Sequence, residues 1–343
     1  MVDSVADKLA RLIESEGPIS VAAYMAVANA HYYATRDPFG AAGDFTTAPE
    51  ISQMFGELAG AWLGDLWSRA GSPEGARYVE LGPGRGTLGA DALRAMAAAG
   101  LRPPVHLVET SPVLREAQAR KLPGARWHDD IDSLPENGPL LIVANEFFDA
   151  LPVRQLVRTG DGWRELVVAH GEEGFRRMPG PIRTGPAADA PPGTIVETCP
   201  AAAAIAAGLS RRIAKQGGAA LIVDYGPMRS GTGDTLQAVS AHGFADPWAE
   251  PGGRDLTAHV DFEALGEAAR REDVRVAGPR TQGQWLIAMG LDLRARALAR
   301  SAPQRAAEIG AARDRLAAPD GMGDLFKVMA LVSPNWPEAE GFE

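Results

Sequence analysis

The stretch that decides the fold is Val79-Glu80-Leu81-Gly82-Pro83-Gly84-Arg85-Gly86-Thr87, an apolar strand end followed by three glycines at alternate positions. A helical pattern begins directly after it. Glycines let the backbone bend sharply and approach a ligand without a Cβ, and the helix start offers N–H groups that lack intrahelical partners. The spacing is G-x-G-x-G and not the G-x-G-x-x-G of dinucleotide folds, so it favours S-adenosylmethionine (SAM) over NAD and predicts a methyltransferase. The alternative is a glycine-rich turn without a ligand.

Strand and helix patterns alternate on both sides of a continuously apolar segment, Leu140 to Ala144. This alternation predicts an α/β fold with a parallel sheet covered on both faces. The segment before the glycine run is predicted to be helical, with one helix opening at Pro18 and another at Pro49. The predicted strands cover 77–81, 105–109, 125–128, 140–144, 219–226, 274–277 and 325–332, and helices are predicted at 88–99, 112–121, 200–215, 261–271 and 291–316.

Beyond Pro152 the hydrophobic period shifts to two. Residues 153–158 and 163–169 flank Thr159-Gly160-Asp161-Gly162, a hairpin signal, and predict an antiparallel layer inserted into the main domain. The Pro/Gly-rich stretch 179–193 and the stretch 227–254 are predicted to be loops. We therefore expect an N-terminal helical segment and cofactor lid over 1–70, followed by a SAM-binding domain over 71–343. Its predicted insertions are at about 153–198 and 227–258, with a helical one at about 281–320.

Composition narrows the function classes. The chain has 343 residues, 45% of them apolar, with 34 basic against 44 acidic side chains and a net charge of −10. That sign opposes a phosphate backbone and disfavours nucleic acid, whereas it suits a cationic protein or peptide substrate. The single cysteine, Cys199, excludes a cysteine-built zinc site, and no metal is expected. No apolar run is long enough to span a membrane and no signal core is seen, so a cytoplasmic location is expected.

Acidic residues stand where predicted strands end. Glu80 lies at the tip of the first strand and could accept hydrogen bonds from a loop amide or from the ammonium group of SAM. Glu109 ends the second strand, where a doubly wound fold places a carboxylate against ribose hydroxyls. Asp129 and Asp130 follow the third strand, and either could meet the adenine amino group; Asp130 is the preferred candidate. Thr87 is a candidate cap of the following helix.

The run Asn145-Glu146-Phe147-Phe148-Asp149-Ala150-Leu151-Pro152 follows the buried fourth strand and so lies at the carboxyl edge of the sheet, where such folds bind ligands. Methylation of a nitrogen requires its lone pair to be aimed at the sulfonium methyl group, so positioning contributes much of the catalysis. Carboxylates such as Glu146 and Asp149 could aim a guanidinium through paired charge-assisted hydrogen bonds. The alternative makes the phenylalanines core residues and Glu146 a helix-start residue.

Two further polar segments contribute candidates. Asp44, Thr46 and Thr47 lie in a polar loop before the second helix. His259 lies in Asp255-Leu256-Thr257-Ala258-His259-Val260-Asp261-Phe262 and could act as a general base, although a histidine is more often structural.

Together these segments resemble a known family, the MidA-like methyltransferases, which are bacterial relatives of the mitochondrial complex I assembly-factor methyltransferase. The resemblance runs from about residue 17 to 333 and is carried by five motifs in the same order. The motifs are Gly43-Asp44-Phe45-Thr46-Thr47-Ala48-Pro49-Glu50-Ile51-Ser52-Gln53, Glu80-Leu81-Gly82-Pro83-Gly84-Arg85-Gly86-Thr87, Asn145-Glu146-Phe147-Phe148-Asp149-Ala150-Leu151-Pro152, Asp255-Leu256-Thr257-Ala258-His259-Val260-Asp261-Phe262 and Met322-Gly323-Asp324-Leu325-Phe326-Lys327-Val328.

The resemblance implies a class I SAM-dependent methyltransferase with a Rossmann-like, mostly parallel seven-stranded sheet. It also implies symmetric dimethylation of an arginine in a respiratory complex I subunit. The resulting hypothesis is a protein-arginine N-methyltransferase, with a homodimer allowed. The alternatives are a SAM-binding assembly factor without turnover and a small-molecule or RNA methyltransferase. Carried onto this chain, the resemblance places the glycine motif on Gly82, Gly84 and Gly86, the ribose position on Glu109, the motif after the fourth strand on 145–152 and the early motif, a lid over the cofactor, on 44–47. With the residues assigned from their positions in the pattern, the predicted site is Glu80, Gly82, Pro83, Gly84, Gly86, Thr87, Glu109, Asp130 and Asn145 for the cofactor, Asp44, Thr46 and Thr47 for the lid, and Glu146, Asp149 and His259 for catalysis.

Overall fold

The computed structural model describes residues 4–36, 46–185, 190–240 and 243–343. The chain divides into two compact units. The insertion unit comprises Met1–Phe45, Asp149–Ala202 and Ser230–His259, and the sheet unit comprises Thr46–Phe148, Ala203–Arg229 and Val260–Glu343. The segment 1–70, predicted as one N-terminal part, is thus divided between the units.

The elements below are numbered along the chain within the described residues. The helices are α1 (Val5–Glu16), α2 (Val21–Thr35), α3 (Ala48–Ile51), α4 (Gln53–Arg69), α5 (Thr87–Ala98), α6 (Pro112–Lys121), α7 (Pro200–Gln216), α8 (Phe262–Arg270), α9 (Gln282–Ala288), α10 (Leu291–Ser301) and α11 (Ala306–Ala317). The strands are β1 (Ile19–Ser20), β2 (Arg77–Leu81), β3 (Val105–Val108), β4 (Arg126–His128), β5 (Leu140–Asn145), β6 (Arg154–Thr159), β7 (Gly162–Gly171), β8 (Gly174–Arg183), β9 (Ile195–Thr198), β10 (Gly218–Tyr225), β11 (Gln237–Ser240), β12 (Gly243–Ala245), β13 (Asp255–Thr257), β14 (Arg275–Thr281) and β15 (Phe326–Val332).

The sheet unit is built on a seven-stranded sheet of described residues in the order β14-β15-β10-β5-β2-β3-β4. Neighbouring strands from β10 to β4 run parallel, and β15 is antiparallel to both β10 and β14. The central strands β5 and β10 are buried along nearly their whole length, as expected for strands covered on both faces. The predicted mostly parallel seven-stranded fold is therefore confirmed, and the carboxyl ends of β2, β3, β5 and β10 share one edge.

One helical layer packs closely against this sheet. Phe55 and Trp62 of α4 lie in the same buried core as Leu88 and Met96 of α5 and apolar residues of the central strands. At Gly60 a Cβ would lie only 2.2 Å from the carbonyl oxygen of Ala92, so the glycine permits direct contact between the helix backbones. This tight layer fixes α5, and with it the turn that leads from β2 into the helix.

The insertion unit holds a five-stranded antiparallel sheet and a three-stranded sheet of described residues. The predicted hairpin is confirmed, because β6 pairs with β7 across residues 159–162. The prediction of a loop from 179 was wrong at its start, since β8 extends to Arg183. Pro179 and Pro181 are tolerated because β8 lies at the edge of the sheet. The predicted loop 227–254 was likewise wrong in part, because it contains β11 and β12.

A buried apolar core joins α1 and α2 to the strands of the insertion unit. Leu9 of α1 and Tyr24 and Met25 of α2 are fully buried or nearly so. Asn29 of α2 is buried and donates hydrogen bonds to the carbonyl oxygens of Ala150 and Leu256, at 3.0 and 2.7 Å. Within the described ranges, the structure contains no helix with the length and apolarity needed to cross a membrane.

Candidate cofactor and active site

The glycine loop joins β2 to α5 at the carboxyl edge of the sheet. Gly82, Gly84 and Gly86 all have positive φ, at 57°, 52° and 75°. The N–H of Gly82 donates to the carbonyl oxygen of Val108 at 3.0 Å, which ties the start of the loop to β3. A Cβ on Gly82 would lie 3.0 Å from Cδ2 of Phe147, so this glycine also admits the turn that follows β5. The residue types predicted for a cofactor loop thus adopt the backbone that such a loop requires.

Glu80 does not lie at the open edge. Its side chain is 3% exposed and accepts a hydrogen bond from the Tyr78 hydroxyl at 2.7 Å. Burial raises the pKa of the Glu80 carboxyl to about 8, although the Tyr78 hydroxyl and the Gly89 N–H oppose the rise. A Cβ on Gly89 would lie 2.6 Å from Oε2 of Glu80, so α5 packs directly on this group. Its carboxyl is thus satisfied by Tyr78 and by the Gly89 N–H of α5, and the predicted contact of Glu80 with SAM stays a prediction.

Thr87 is the first residue of α5 and not its cap. The cap position is Gly86, in a left-handed conformation and without a side-chain hydrogen bond. The Thr87 hydroxyl donates to Oε1 of Glu50 at 2.5 Å and accepts from Nζ of Lys121 at 2.6 Å. The capping prediction was therefore wrong, because glycine at the cap lets the chain enter the helix directly. Thr87 instead links α5 to α3 and α6.

Glu109 follows β3 and is 8% exposed. Burial raises the pKa of its carboxyl, against hydrogen bonds from the Ser111 N–H at 2.8 Å and from Nε2 of Gln118 at 3.2 Å. Nε2 of Gln118 also donates to the carbonyl oxygen of Gly84 at 2.7 Å. One side chain therefore connects the glycine loop to the carboxylate predicted to bind ribose.

Asp129 and Asp130 follow β4 and are exposed. Asp129 forms an ion pair with Arg115 at 2.5 Å. Oδ1 of Asp130 accepts from the Ser133 N–H at 2.9 Å, and the hydrogen bonds from Ser133 lower the pKa of Asp130. Both carboxylates thus have local partners, and the choice of Asp130 for adenine remains a prediction.

The turn after β5 carries an uncommon backbone conformation. Glu146 has a φ of 50°, a left-handed value that is costly for a side chain other than glycine. Oε1 of Glu146 accepts from Nδ2 of Asn145 at 3.2 Å and from the N–H of Ala48 at 3.4 Å. The Glu146 N–H donates to the carbonyl oxygen of Val223 at 2.9 Å. Strained residues of this kind cluster at functional sites, and the strain persists only where the surroundings impose it.

Asp224, at the end of β10, supplies part of that constraint. Its side chain is fully buried, and Oδ2 accepts from the N–H groups of Phe147 and Phe148 at 3.2 and 3.0 Å. Oδ1 accepts from the Tyr225 N–H at 2.9 Å. The sequence places Asp224 at the end of an otherwise apolar strand, near the predicted site but with no predicted role. Its charge-assisted hydrogen bonds hold the turn that carries Glu146.

The early motif falls partly within the described residues. Thr47 is 6% exposed and is the cap residue of α3, and its carbonyl oxygen accepts from the N–H groups of Glu50 and Ile51. Thr46 is half-buried. Asp44 lies outside the described residues, so its assignment to a lid stays a prediction.

The two other catalytic candidates belong to the insertion unit. Asp149 is 7% exposed, and its carbonyl oxygen accepts from the Ala258 N–H at 3.0 Å. His259 is exposed, and its backbone N–H donates to the Thr235 hydroxyl at 2.9 Å. Their catalytic roles stay predictions. Over the ranges that the structure describes, no group of three or more His, Cys, Asp or Glu side chains is arranged to hold a metal ion.

The residues at the carboxyl edge of the sheet suit SAM. The glycine loop, the Glu109 carboxylate and the polar turn after β5 follow strands whose carboxyl ends share this edge. Oδ1 of Asn145 is buried and has no hydrogen-bond partner among the described residues, which leaves an acceptor for a ligand ammonium or hydroxyl group. The fold and this donor and acceptor set define a class I SAM-dependent methyltransferase.

Comparison with known proteins identifies the family. Residues 58–280 match the family described as "Putative S-adenosyl-L-methionine-dependent methyltransferase", and the chain belongs to this family. It is 37% identical to protein arginine methyltransferase NDUFAF7, mitochondrial, of Xenopus tropicalis, over 93% of this chain and 84% of that protein. The human protein of that name is also 37% identical, over 93% of this chain and 81% of its own length.

A solved structure shares the fold over nearly the whole chain. A COG1565 superfamily member from Burkholderia thailandensis bound to S-adenosyl-homocysteine is 28% identical, with a TM-score of 0.86 over 98% of this chain and 93% of that one. The protein is therefore a SAM-dependent methyltransferase, and the cofactor predicted from the glycine spacing is confirmed.

Proposed function

We propose that this methyltransferase transfers methyl groups to an arginine side-chain nitrogen of a protein. The observation that carries the proposal is Glu146, whose carboxylate stands on a strained turn at the carboxyl edge, next to β2 and its glycine loop. The names of the relatives, protein arginine methyltransferases, support the same acceptor. The net charge of −10 suits a basic protein segment.

The cofactor assignment within the proposal follows the sheet edge. The methionine half of SAM would lie against the glycine loop, formed by Gly82, Pro83, Gly84 and Gly86. Glu109 would accept hydrogen bonds from the ribose hydroxyls, and Asp130 would contact adenine. Oδ1 of Asn145 would accept a further hydrogen bond from the ligand. When bound, SAM supplies an electrophilic methyl group on a sulfonium centre. A buried carboxylate such as that of Glu109 can accept hydrogen bonds from two hydroxyl groups at once.

Glu146 then acts on the acceptor. Its carboxylate binds a guanidinium through paired charge-assisted hydrogen bonds, which fixes the plane of the group and the direction of the attacking nitrogen lone pair. The negative charge of Glu146 also stabilises the cation formed by transfer, and the N–H proton displaced from the methylated nitrogen passes to solvent water. The main contribution of Glu146 to catalysis is to orient the guanidinium, because in water the group turns freely and its nitrogens face all directions.

The test separates binding from transfer. Glu146→Gln should bind S-adenosylhomocysteine within about threefold of the parent in titration calorimetry, yet reduce methyl transfer to arginine by about a hundredfold or more, because the charged clamp is lost. Glu116→Gln on the exposed face of α6 is the matched control. Full transfer by Glu146→Gln would reject the clamp.

Mass spectrometry of the host proteome with and without the chain identifies the acceptor. A methyl mark found only on RNA or on a small molecule would reject protein arginine as the acceptor.

We propose a respiratory complex I subunit as the acceptor and a role in complex I assembly, both implied by the resemblance to the MidA-like family. A cytoplasmic location and a homodimeric state are separate proposals that do not rest on that resemblance. Loss of one symmetric dimethylarginine from a complex I subunit in a deletion strain is the expected outcome. Cell fractionation and light scattering of the purified chain check location and oligomeric state.

A further inference from the structure

Gln118 on α6 is a buried amide whose three hydrogen bonds reach three different segments. It is fully buried. Nε2 donates to the carbonyl oxygen of Gly84 at 2.7 Å and to Oε2 of Glu109 at 3.2 Å. Oε1 accepts from Nε1 of Trp127 at 2.8 Å, at the middle of β4. The side chain thus joins the glycine loop, the end of β3 and β4.

The chemistry of the partners fixes the orientation of this amide. An indole nitrogen only donates, whereas a backbone carbonyl and an ionised carboxylate only accept. The atom facing Trp127 must therefore be Oε1, and both amide hydrogens must face Gly84 and Glu109. Every polar group of the side chain has a partner, so the network specifies one arrangement.

We propose that Gln118 is a positioning residue for SAM, which holds the glycine loop and the ribose carboxylate at a fixed separation. The inference rests on the cofactor placement proposed above. The loop that bends around the methionine half and the carboxylate that accepts from ribose lie on different segments, and a single amide connects them. A ligand that spans both binds tightly only if their separation is set before binding, because ordering them afterwards lowers the affinity.

A second effect of Gln118 concerns the charge of Glu109. Burial raises the pKa of Glu109, and the hydrogen bonds from Ser111 and Gln118 oppose the rise. An ionised carboxylate is the stronger acceptor for hydroxyl groups. Donation from Nε2 therefore favours the binding-competent form of Glu109 as well as its orientation.

Two variants and a matched control test the inference in the full chain. Gln118→Met keeps the approximate shape and removes both donors, and Gln118→Glu keeps an acceptor for Trp127 but faces Glu109 with a second carboxylate. Both should weaken S-adenosylhomocysteine binding by about tenfold or more, as expected for lost charge-assisted hydrogen bonds at a buried site. Trp127→Phe removes the third hydrogen bond and leaves both donors, so its Kd should stay within about threefold of the parent.

A double-mutant cycle supplies the readout that a merely structural role would not give. If Gln118 acts through Glu109, the Kd change of Gln118→Met combined with Glu109→Gln is smaller than the product of the single changes. Full multiplication, or binding by both Gln118 variants within threefold of the parent, overturns the inference. If Glu109→Gln alone leaves the Kd unchanged, the proposed cofactor placement itself fails, whatever the Gln118 variants do.

Discussion

At the scale of single residues, Glu80 shows how position in a motif and role can differ. The sequence predicts it at a strand tip beside the cofactor, and Glu80 does lie next to the last residue of β2. Its carboxyl, however, lies against Tyr78 and Gly89 under α5. A sequence gives the order of residues along a strand, but whether a side chain meets ligand or helix depends on the packing of α5, which the pattern does not contain.

The buried carboxyl of Glu80 makes stability depend on pH. Its pKa of about 8 lies above the unfolded value of 4.5. The folded chain therefore binds an extra proton between these values, and the associated stability, present at low pH, is lost as pH rises through about 8. We expect Glu80→Gln to flatten the decline in unfolding free energy between about pH 5 and pH 8.5, measured by denaturant titration. The same pH slope in Glu80→Gln and in the parent, with Glu116→Gln as control, would refute this assignment.

At the scale of elements, three helices of the sheet unit share one carboxylate. Glu57 of α4 accepts from Arg94 of α5 at 3.1 Å and from Arg294 of α10 at 2.7 Å. Burial acts to raise the pKa of Glu57, but the hydrogen bonds from Arg294 and Arg94 outweigh it and lower the pKa. The stabilisation is present above the unfolded pKa and is lost as pH falls through the lower folded value.

Removing this shared charge should loosen the helical layer. We expect Glu57→Gln to lower the free energy of unfolding by about 2 kcal/mol near neutral pH, because two half-exposed guanidinium groups lose their common partner. Denaturant titration at neutral and acidic pH measures the effect, and the difference from the parent should shrink under acid. Glu308→Gln, which breaks an exposed pair with Arg305, is the control and should show no measurable loss. An equal loss in both variants would contradict the network.

Some elements absent from the sequence predictions carry local signals, and others do not. Residues Val5, Leu9 and Ile13 recur at four-residue spacing and are buried in α1, and Ser4 and Asp7 form a capping box. These signals predict the bounds of α1, which the broader prediction of a helical segment over 1–70 did not give. The strand β8 is different, because Pro179 and Pro181 argue against a strand unless its place at the sheet edge is known. Edge position is a tertiary property, so local pattern alone could not provide it.

At the scale of the whole molecule, the alternating strand and helix patterns predicted an α/β fold with a parallel sheet, and the resemblance to the MidA-like family implied its seven strands. Alternating patterns with a buried central strand leave few arrangements, and the right-handed crossover rule selects among them. The division into two units was harder to predict, since the insertion unit combines three separate stretches of chain. Their association depends on contacts such as those of Asn29 with Ala150 and Leu256, which residue spacing does not reveal.

Cofactor binding should stabilise the folded chain and protect the sheet unit at several separate segments. A ligand that binds only the folded chain stabilises it by about 2.7 kcal/mol at a hundred times its Kd. We expect S-adenosylhomocysteine to raise the thermal midpoint and to slow amide exchange in peptides covering 82–87, 109–118 and 145–148. Glu146→Gln should keep both effects, because it removes the proposed acceptor contact and not the cofactor contacts. Protection confined to 154–183 would place the ligand away from the carboxyl edge, and no protection at all would show no ligand effect at the proposed site; either result contradicts the site. Protection at 82–87 without 109–118 would separate the glycine loop from Glu109, the link that Gln118 is proposed to maintain.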